Sequence, residues 1–145
     1  MLERKLLEIL LVEDDGADAE LAMRGLKSHM FNEVHWVKDG LEAVDFIFRR
    51  GRFASRPDKQ PDLVLLDLNL PKLDGLSVLR AIRGHEETRD IPVVVLTGSA
   101  SENDMVHSYG LHINNYLVKP IQFEDFAAVV AHAGFRWGLF SEAPA

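Results

Sequence analysis

The sequence predicts one α/β domain in which a parallel sheet is covered by helices on both sides. Short apolar runs alternate with stretches whose apolar residues recur at helical spacing, and five such pairs follow one another. Residues 63–66 (Leu-Val-Leu-Leu) hold no polar side chain, which is typical of a strand buried on both faces. A length of 145 residues with 47% hydrophobic residues suits a single domain with its own core.

Each unit is predicted as one strand followed by one helix. The strands are residues 6–12, 34–37, 63–66, 91–96 and 115–118. The first helix is predicted over residues 17–30. The second and third are indicated by apolar residues at helical spacing, Leu41, Val44, Ile47 and Phe48 in one and Leu76, Leu79 and Ile82 in the other. The fourth begins after an N-cap at Ser101 and carries Met105, Val106 and Tyr109, and the fifth carries Phe123, Phe126, Val130 and Trp137. Residues 49–61 are rich in Arg, Gly, Ser and Pro and are predicted to form a long loop, whose arginines we interpret as solvated.

Composition excludes several classes of protein. The net charge of −7 argues against non-specific nucleic-acid binding, which depends on cationic patches. The chain contains no cysteine, so disulfides and thiolate metal sites are impossible. No signal-peptide pattern and no apolar run of membrane-spanning length is present, and we therefore expect a cytoplasmic protein without membrane contact. No linker or repeat is visible, so residues 1–145 are expected to form one domain without an output domain.

Polar side chains that could carry chemistry stand directly after the predicted strands. They are Glu13, Asp14 and Asp15 after the first strand, Asp67 after the third, Thr97 after the fourth and Lys119 after the fifth. Ligands of open α/β sheets bind beyond the carboxyl ends of the strands. Four distant segments are therefore expected to bring carboxylates, a hydroxyl and an ammonium to one edge of the sheet.

This set of side chains favours metal-dependent phosphoryl chemistry. Crowded carboxylates repel one another, and a hard divalent cation such as Mg²⁺ relieves that repulsion through oxygen ligands. Asp67 offers a nucleophilic oxygen for a phosphoryl group. Lys119 can neutralise one phosphoryl oxygen, and the Thr97 hydroxyl can donate to another. Asp15 is expected to begin the first helix instead of binding metal.

The segments around these residues resemble the receiver domains of two-component response regulators. They are residues 12–15 (Val-Glu-Asp-Asp), 65–75 (Leu-Leu-Asp-Leu-Asn-Leu-Pro-Lys-Leu-Asp-Gly), 95–99 (Val-Leu-Thr-Gly-Ser) and 116–120 (Tyr-Leu-Val-Lys-Pro). All occur in the expected order, and the resemblance covers roughly residues 7–133. It implies a flavodoxin-like, doubly wound sheet of five strands in the order 2-1-3-4-5.

The resemblance also implies a role for each residue of the site. Asp67 would be the phosphoacceptor for a histidine kinase. Mg²⁺ or Mn²⁺ would be held by Asp14, Asp67, the backbone carbonyl of Asn69 and Glu13, the last directly or through water. Thr97 and Lys119 would contact the phosphoryl group, Tyr116 would change rotamer on activation, and Lys119–Pro120 would be a cis peptide. The chain would then be no enzyme beyond catalysing its own phosphorylation and dephosphorylation.

Within that family the chain is similar to the small regulators that partner bacterial phytochromes. The similarity lies in the loop 49–61, in residues 68–75 and 108–116, and in the aromatic tail Phe135-Arg136-Trp137. It implies a phytochrome-type sensor histidine kinase as partner. Residues 134–145 extend beyond the core, and Phe135, Trp137, Leu139 and Phe140 are interpreted as part of a homodimer face with the fourth helix, fifth strand and last helix.

Other interpretations stay open at this point. The chain could be a phosphorylation-independent interaction module or a phosphate sink. A flavodoxin-like cofactor binder would want a loop rich in Ser, Thr and Gly after the first strand, where this chain is acidic. A phosphatase would want a second acid where Asn69 stands. Tyr116 could be a plain core aromatic. The aromatic tail at residues 134–145 could cap the core. The six histidines are interpreted as surface or packing residues and not as metal ligands.

Overall fold

The computed structural model describes residues 7–29, 32–99, 101, 106–107 and 109–121. Its strands are β1 (Leu7–Val12), β2 (Asn32–Val37), β3 (Leu63–Asp67), β4 (Val93–Thr97) and β5 (Asn115–Val118). Its helices are α1 (Gly16–His29), α2 (Gly40–Ile47) and α3 (Gly75–Gly84), with a 3₁₀ turn at Gly51–Phe53. The strands are parallel and lie in the order β2-β1-β3-β4-β5, which confirms the predicted fold class.

Some predicted elements lie outside these residues. Most of the helix expected after Ser101 and all of the final helix are among them, as are Phe135, Trp137, Leu139 and Phe140. The homodimer face therefore remains a prediction. Among the described helices, none combines the length and apolar character that crossing a membrane requires.

The three central strands are buried on both faces. Alternate residues of β3 point to opposite sides, with Val64 and Leu66 in one apolar cluster and Leu63 and Leu65 in the other. The first cluster is covered by α2 and α3 and the second by α1. An all-apolar strand is the expected result of this two-sided cover, because neither face of the strand meets water.

Strand register aligns the carboxyl ends of the sheet. Val12 pairs with Leu66, Asp67 with Leu96, and Thr97 with Val118. Glu13 and Lys119 follow β1 and β5, while Asp67 and Thr97 end β3 and β4, and all four consequently reach the same edge. A backbone hydrogen bond of 2.8 Å from the Lys119 N–H to the Thr97 carbonyl extends that alignment to the fifth strand.

Two glycines let helices begin in direct contact with neighbouring backbone. A Cβ at Gly75, the first residue of α3, would lie 2.3 Å from the Asp67 carbonyl oxygen. A Cβ at Gly40, the first residue of α2, would lie 1.8 Å from the Leu73 carbonyl oxygen. Both contacts are shorter than non-bonded atoms allow, so any side chain would force the backbone apart. Packing therefore requires glycine at both helix starts.

The loop between α2 and β3 is folded against the domain. The Arg56 guanidinium carbon lies 3.6 Å from the centre of the Phe46 ring, and the group donates to the Phe46 and Lys59 carbonyls. The Phe53 ring meets Phe46 edge-on at 5.2 Å. The interpretation of the basic run as solvated is therefore wrong for Arg56, whose side chain is only 12% exposed because it stacks on an aromatic ring.

Candidate functional site

Three carboxylates meet at the carboxyl edge of the sheet. Oxygens of Glu13, Asp14 and Asp67 lie within 4.8 Å of one another. Glu13 and Asp67 are buried, while Asp14 is exposed. The first two residues follow β1 and the third ends β3, so strand register brings them together as predicted. Their predicted role as metal ligands depends on whether their oxygen atoms suit a divalent cation.

The oxygen donors fit a hard divalent cation. Glu13 Oε1 is buried and lacks a hydrogen bond, although the Lys119 ammonium lies 2.8 Å away. Asp67 Oδ1 accepts a 2.9 Å hydrogen bond from the Asn69 N–H, which orients its carboxylate. One buried acceptor without a hydrogen bond, a second oriented carboxylate and a solvent-facing Asp14 form an oxygen-rich set that suits Mg²⁺ or Mn²⁺.

Lys119 links the carboxylates. Its ammonium donates to Asp67 Oδ2 at 2.8 Å and lies 2.8 Å from Glu13 Oε1 and 3.2 Å from Asp18 Oδ2. Burial by itself would lower the pKa of the ammonium, but the contacts with Asp67 and Glu13 outweigh burial and raise the pKa above its usual value. Lys119 is therefore a permanent positive charge at the centre of the site.

Asp18 was missed by the sequence analysis. It lies in the first turn of α1, three residues after the helix cap Asp15 and so close to the turn that carries Asp14. That spacing is the signal that could have placed it near the site. Trp36 was missed as well: its indole N–H donates to the Glu13 carbonyl at 2.7 Å and holds the turn that follows β1.

The predicted role of Asp15 in starting α1 is confirmed. Its Oδ1 accepts from the backbone N–H groups of Ala17 at 2.8 Å and Asp18 at 3.0 Å. These donors have no partner within the helix, so the carboxylate caps α1. The predicted cis peptide between Lys119 and Pro120 is also present.

Thr97 and Tyr116 occupy the positions that the sequence analysis assigned to them. Thr97 is fully buried at the end of β4, and its hydroxyl donates to the Ser99 carbonyl at 2.9 Å. Tyr116 lies in β5, half-buried against the cluster that α2 and α3 cover. This packing suits either a core aromatic or a residue that changes rotamer, and its switching role stays a prediction.

The protonation of Glu13 gives the metal-free protein a testable pH dependence. Burial, followed by the neighbouring Asp67, raises the pKa of Glu13 from 4.5 to about 7. The folded state therefore binds more protons than the unfolded state between these values. The free energy of unfolding should accordingly fall as pH rises from about 5 to about 7.

Glu13→Gln should remove this part of the pH dependence, because the amide does not titrate. Urea unfolding in the presence of a chelator, followed from pH 5 to pH 8, measures it. Glu20→Gln is the control, since Glu20 lies on the surface of α1 in an ion pair with Arg24. Equal slopes for wild type and Glu13→Gln would contradict the assignment.

Comparison with known proteins identifies the family. The response regulator receiver domain family matches residues 9–131. The chain is 42% identical over 137 residues to the probable methanogenesis regulatory protein FilR2 of Methanothrix harundinacea, covering 94% of this chain and 86% of that protein. It is 45% identical over 130 residues to the response regulator Rcp1 of a Synechocystis strain, covering 89% and 87% of the two chains.

Solved structures agree with this assignment. The bacteriophytochrome response regulator RtBRR superposes with a TM-score of 0.87 at 45% identity, covering 97% of this chain and 85% of that one. The Mn²⁺-bound form of Rcp1 gives a TM-score of 0.72 at 42% identity, with coverage of 88% and 90%. With the strand order and the acidic edge of the sheet, these similarities show that the chain belongs to the response regulator receiver domain family.

Proposed function

We propose that Asp67 accepts a phosphoryl group from the phosphohistidine of a sensor histidine kinase. The single observation that carries this proposal is the cluster of Glu13, Asp14 and Asp67 carboxylates at the end of the sheet, with the Lys119 ammonium 2.8 Å from Glu13 and from Asp67. Asp14, Asp67, the Asn69 carbonyl and Glu13 would hold Mg²⁺ or Mn²⁺. When bound, that cation supplies charge neutralisation for the incoming phosphoryl oxygens.

The reaction uses groups that are already in place. An Asp67 carboxylate oxygen forms a bond to phosphorus while the phosphorus–nitrogen bond of phosphohistidine breaks, and the leaving imidazole keeps the electron pair. The Asn69 N–H and the Lys119 ammonium hold one Asp67 oxygen each, so the nucleophile is oriented before the phosphoryl group arrives. Hydrolysis of the acyl phosphate by water then resets the protein, which catalyses only these two steps on itself.

The switch would pass through Thr97 and Tyr116. On phosphorylation the Thr97 hydroxyl exchanges its hydrogen bond to the Ser99 carbonyl for one to a phosphoryl oxygen. Tyr116, two residues before Val118, which pairs with Thr97, follows by changing rotamer. This favours one conformation of the face built from the fourth helix, β5 and the last helix, and we assign the homodimer contact to that face.

A phytochrome-type kinase is the proposed partner. The similarity to the bacteriophytochrome response regulator RtBRR supports this partner. FilR2 is similar to a comparable degree, so the kinase must be identified by phosphotransfer. We expect a phosphorylated phytochrome kinase to label this protein faster than a kinase of another sensor class from the same cell.

Intact-mass measurement tests the phosphoacceptor directly. The protein is incubated with Mg²⁺ and acetyl phosphate, and wild type is compared with Asp67→Asn. Wild type should gain one phosphoryl group, and the gain should be absent when Mg²⁺ is chelated, because the charge at the site is then left unneutralised. Asp67→Asn should gain none. The same gain on both proteins would place the phosphate elsewhere, and no gain on wild type would favour a phosphorylation-independent module.

A further inference from the structure

Among the residues that the structure describes, Asp18 is the one carboxylate in contact with Lys119 that has no part in the proposed metal site or in accepting phosphate. Its Oδ2 lies 3.2 Å from the Lys119 ammonium, and its side chain is 40% exposed at the rim of the site. The other two carboxylates on the ammonium belong to Glu13 and Asp67, which are buried. The Lys119 ammonium thus connects the end of β1, the end of β3 and the start of α1.

The bridge bears directly on phosphoryl transfer. In the proposed function the Lys119 ammonium neutralises an oxygen of the incoming phosphoryl group. In the resting protein that ammonium donates a hydrogen bond to Asp67 and also lies 2.8 Å from a Glu13 oxygen and 3.2 Å from an Asp18 oxygen. A phosphoryl oxygen must therefore compete with Asp18 for the ammonium, and the Asp18 charge also repels an anionic donor as it approaches.

We infer that Asp18 is a positioning residue that holds Lys119 in the resting site and thereby restrains phosphorylation of Asp67. This inference rests on the proposed function, because it concerns the rate at which that same site reacts. Asp18 acts through Lys119 and is not assigned any contact with the phosphoryl group. A purely structural role, in which its charge stabilises the N-terminus of α1, would leave the reaction rate unaffected.

Asp18→Asn separates these roles. With acetyl phosphate as donor, an Asp67 oxygen bonds to phosphorus and acetate leaves with the electron pair of the broken phosphorus–oxygen bond. At saturating Mg²⁺ and low ionic strength, Asp18→Asn should be phosphorylated about threefold to tenfold faster than wild type, since one nearby negative charge is removed. The difference should shrink in about 0.5 M salt, because ions screen the exposed Asp18 charge.

Glu20→Gln is the matched control. It removes the same charge from the same helix, but Glu20 pairs with Arg24 on the exposed surface. It should react within twofold of the wild-type rate, and Asp18→Glu should return most of the restraint. Melting temperatures of all variants report any effect on α1 separately from the rate.

Two results would overturn the inference. One is an Asp18→Asn rate equal to or below that of wild type, and the other is an equal acceleration by Glu20→Gln. A wild-type protein that gains no phosphoryl group on Asp67 would instead overturn the proposed function, and the inference with it. The wild-type measurement therefore tells the two failures apart.

Discussion

Gly75→Ala is expected to destabilise the protein by about 2–4 kcal/mol, a loss typical of severe overpacking. The added Cβ would lie 2.3 Å from the Asp67 carbonyl oxygen and 2.6 Å from the Leu68 Cα. Both are backbone atoms, so no side-chain rotation relieves the overlap. Either α3 must move away from the sheet or the end of β3 must shift.

The same substitution should impair phosphorylation, because the displaced segment carries the phosphoacceptor. A shift of Asp67 by a fraction of an ångström away from Lys119 should slow the reaction about tenfold or more. Denaturant unfolding gives the stability, and intact mass against time gives the rate. The loss of rate should persist at temperatures where Gly75→Ala remains folded.

Gly84→Ala is the control for the glycine prediction. It lies at the other end of α3, and a Cβ there meets nothing within 4 Å. Alanine is the better helix former, so the free energy of unfolding should rise slightly, by up to about 1 kcal/mol. Equal stability of the two variants would mean that the backbone at residues 67–68 yields without cost, and the packing argument would fail.

Lys119→Met is expected to tighten Mg²⁺ binding about tenfold while abolishing efficient phosphorylation. The ammonium lies 2.8 Å from oxygens of Asp67 and Glu13, both proposed metal ligands, and its positive charge opposes the cation. Methionine keeps most of the length of the side chain but removes that charge. The phosphoryl group then loses the ammonium that would neutralise one of its oxygens, so affinity and reactivity should change in opposite directions.

Calorimetric titration with Mg²⁺ and the acetyl phosphate reaction measure the two effects. Lys59→Met is the matched control, since its ammonium lies 3.4 Å from Glu8, a residue within β1 and away from the carboxyl edge of the sheet. It should leave both properties near the wild-type values. Weaker Mg²⁺ binding by Lys119→Met would show that the ammonium organises the ligands instead of competing with the cation.

How well a feature of this protein could be predicted from the sequence depended on how far apart in the chain the interacting residues lie. The alternation of strands and helices could be predicted because strands buried on both faces, such as β3 and β4, contain uninterrupted runs of apolar residues. The role of Asp15 was readable because helix capping is local. Arg56 was misread, since its stacking on Phe46 joins residues ten apart through a loop whose path no local pattern encodes.

By itself, the sequence determined the fold class and the segments that supply the site, because hydrophobic periodicity is a property of neighbouring residues and carboxyl ends of parallel strands share an edge. Only the tertiary structure decided which of those groups touch. Lys119, which follows β5, lies 3.2 Å from the carboxylate of Asp18 on α1, a residue that none of the motifs contains. Gly75 packs so closely against the Asp67 backbone that no side chain fits between them. Such contacts depend on register and helix packing across segments far apart in the chain, and these are settled only when the whole core assembles.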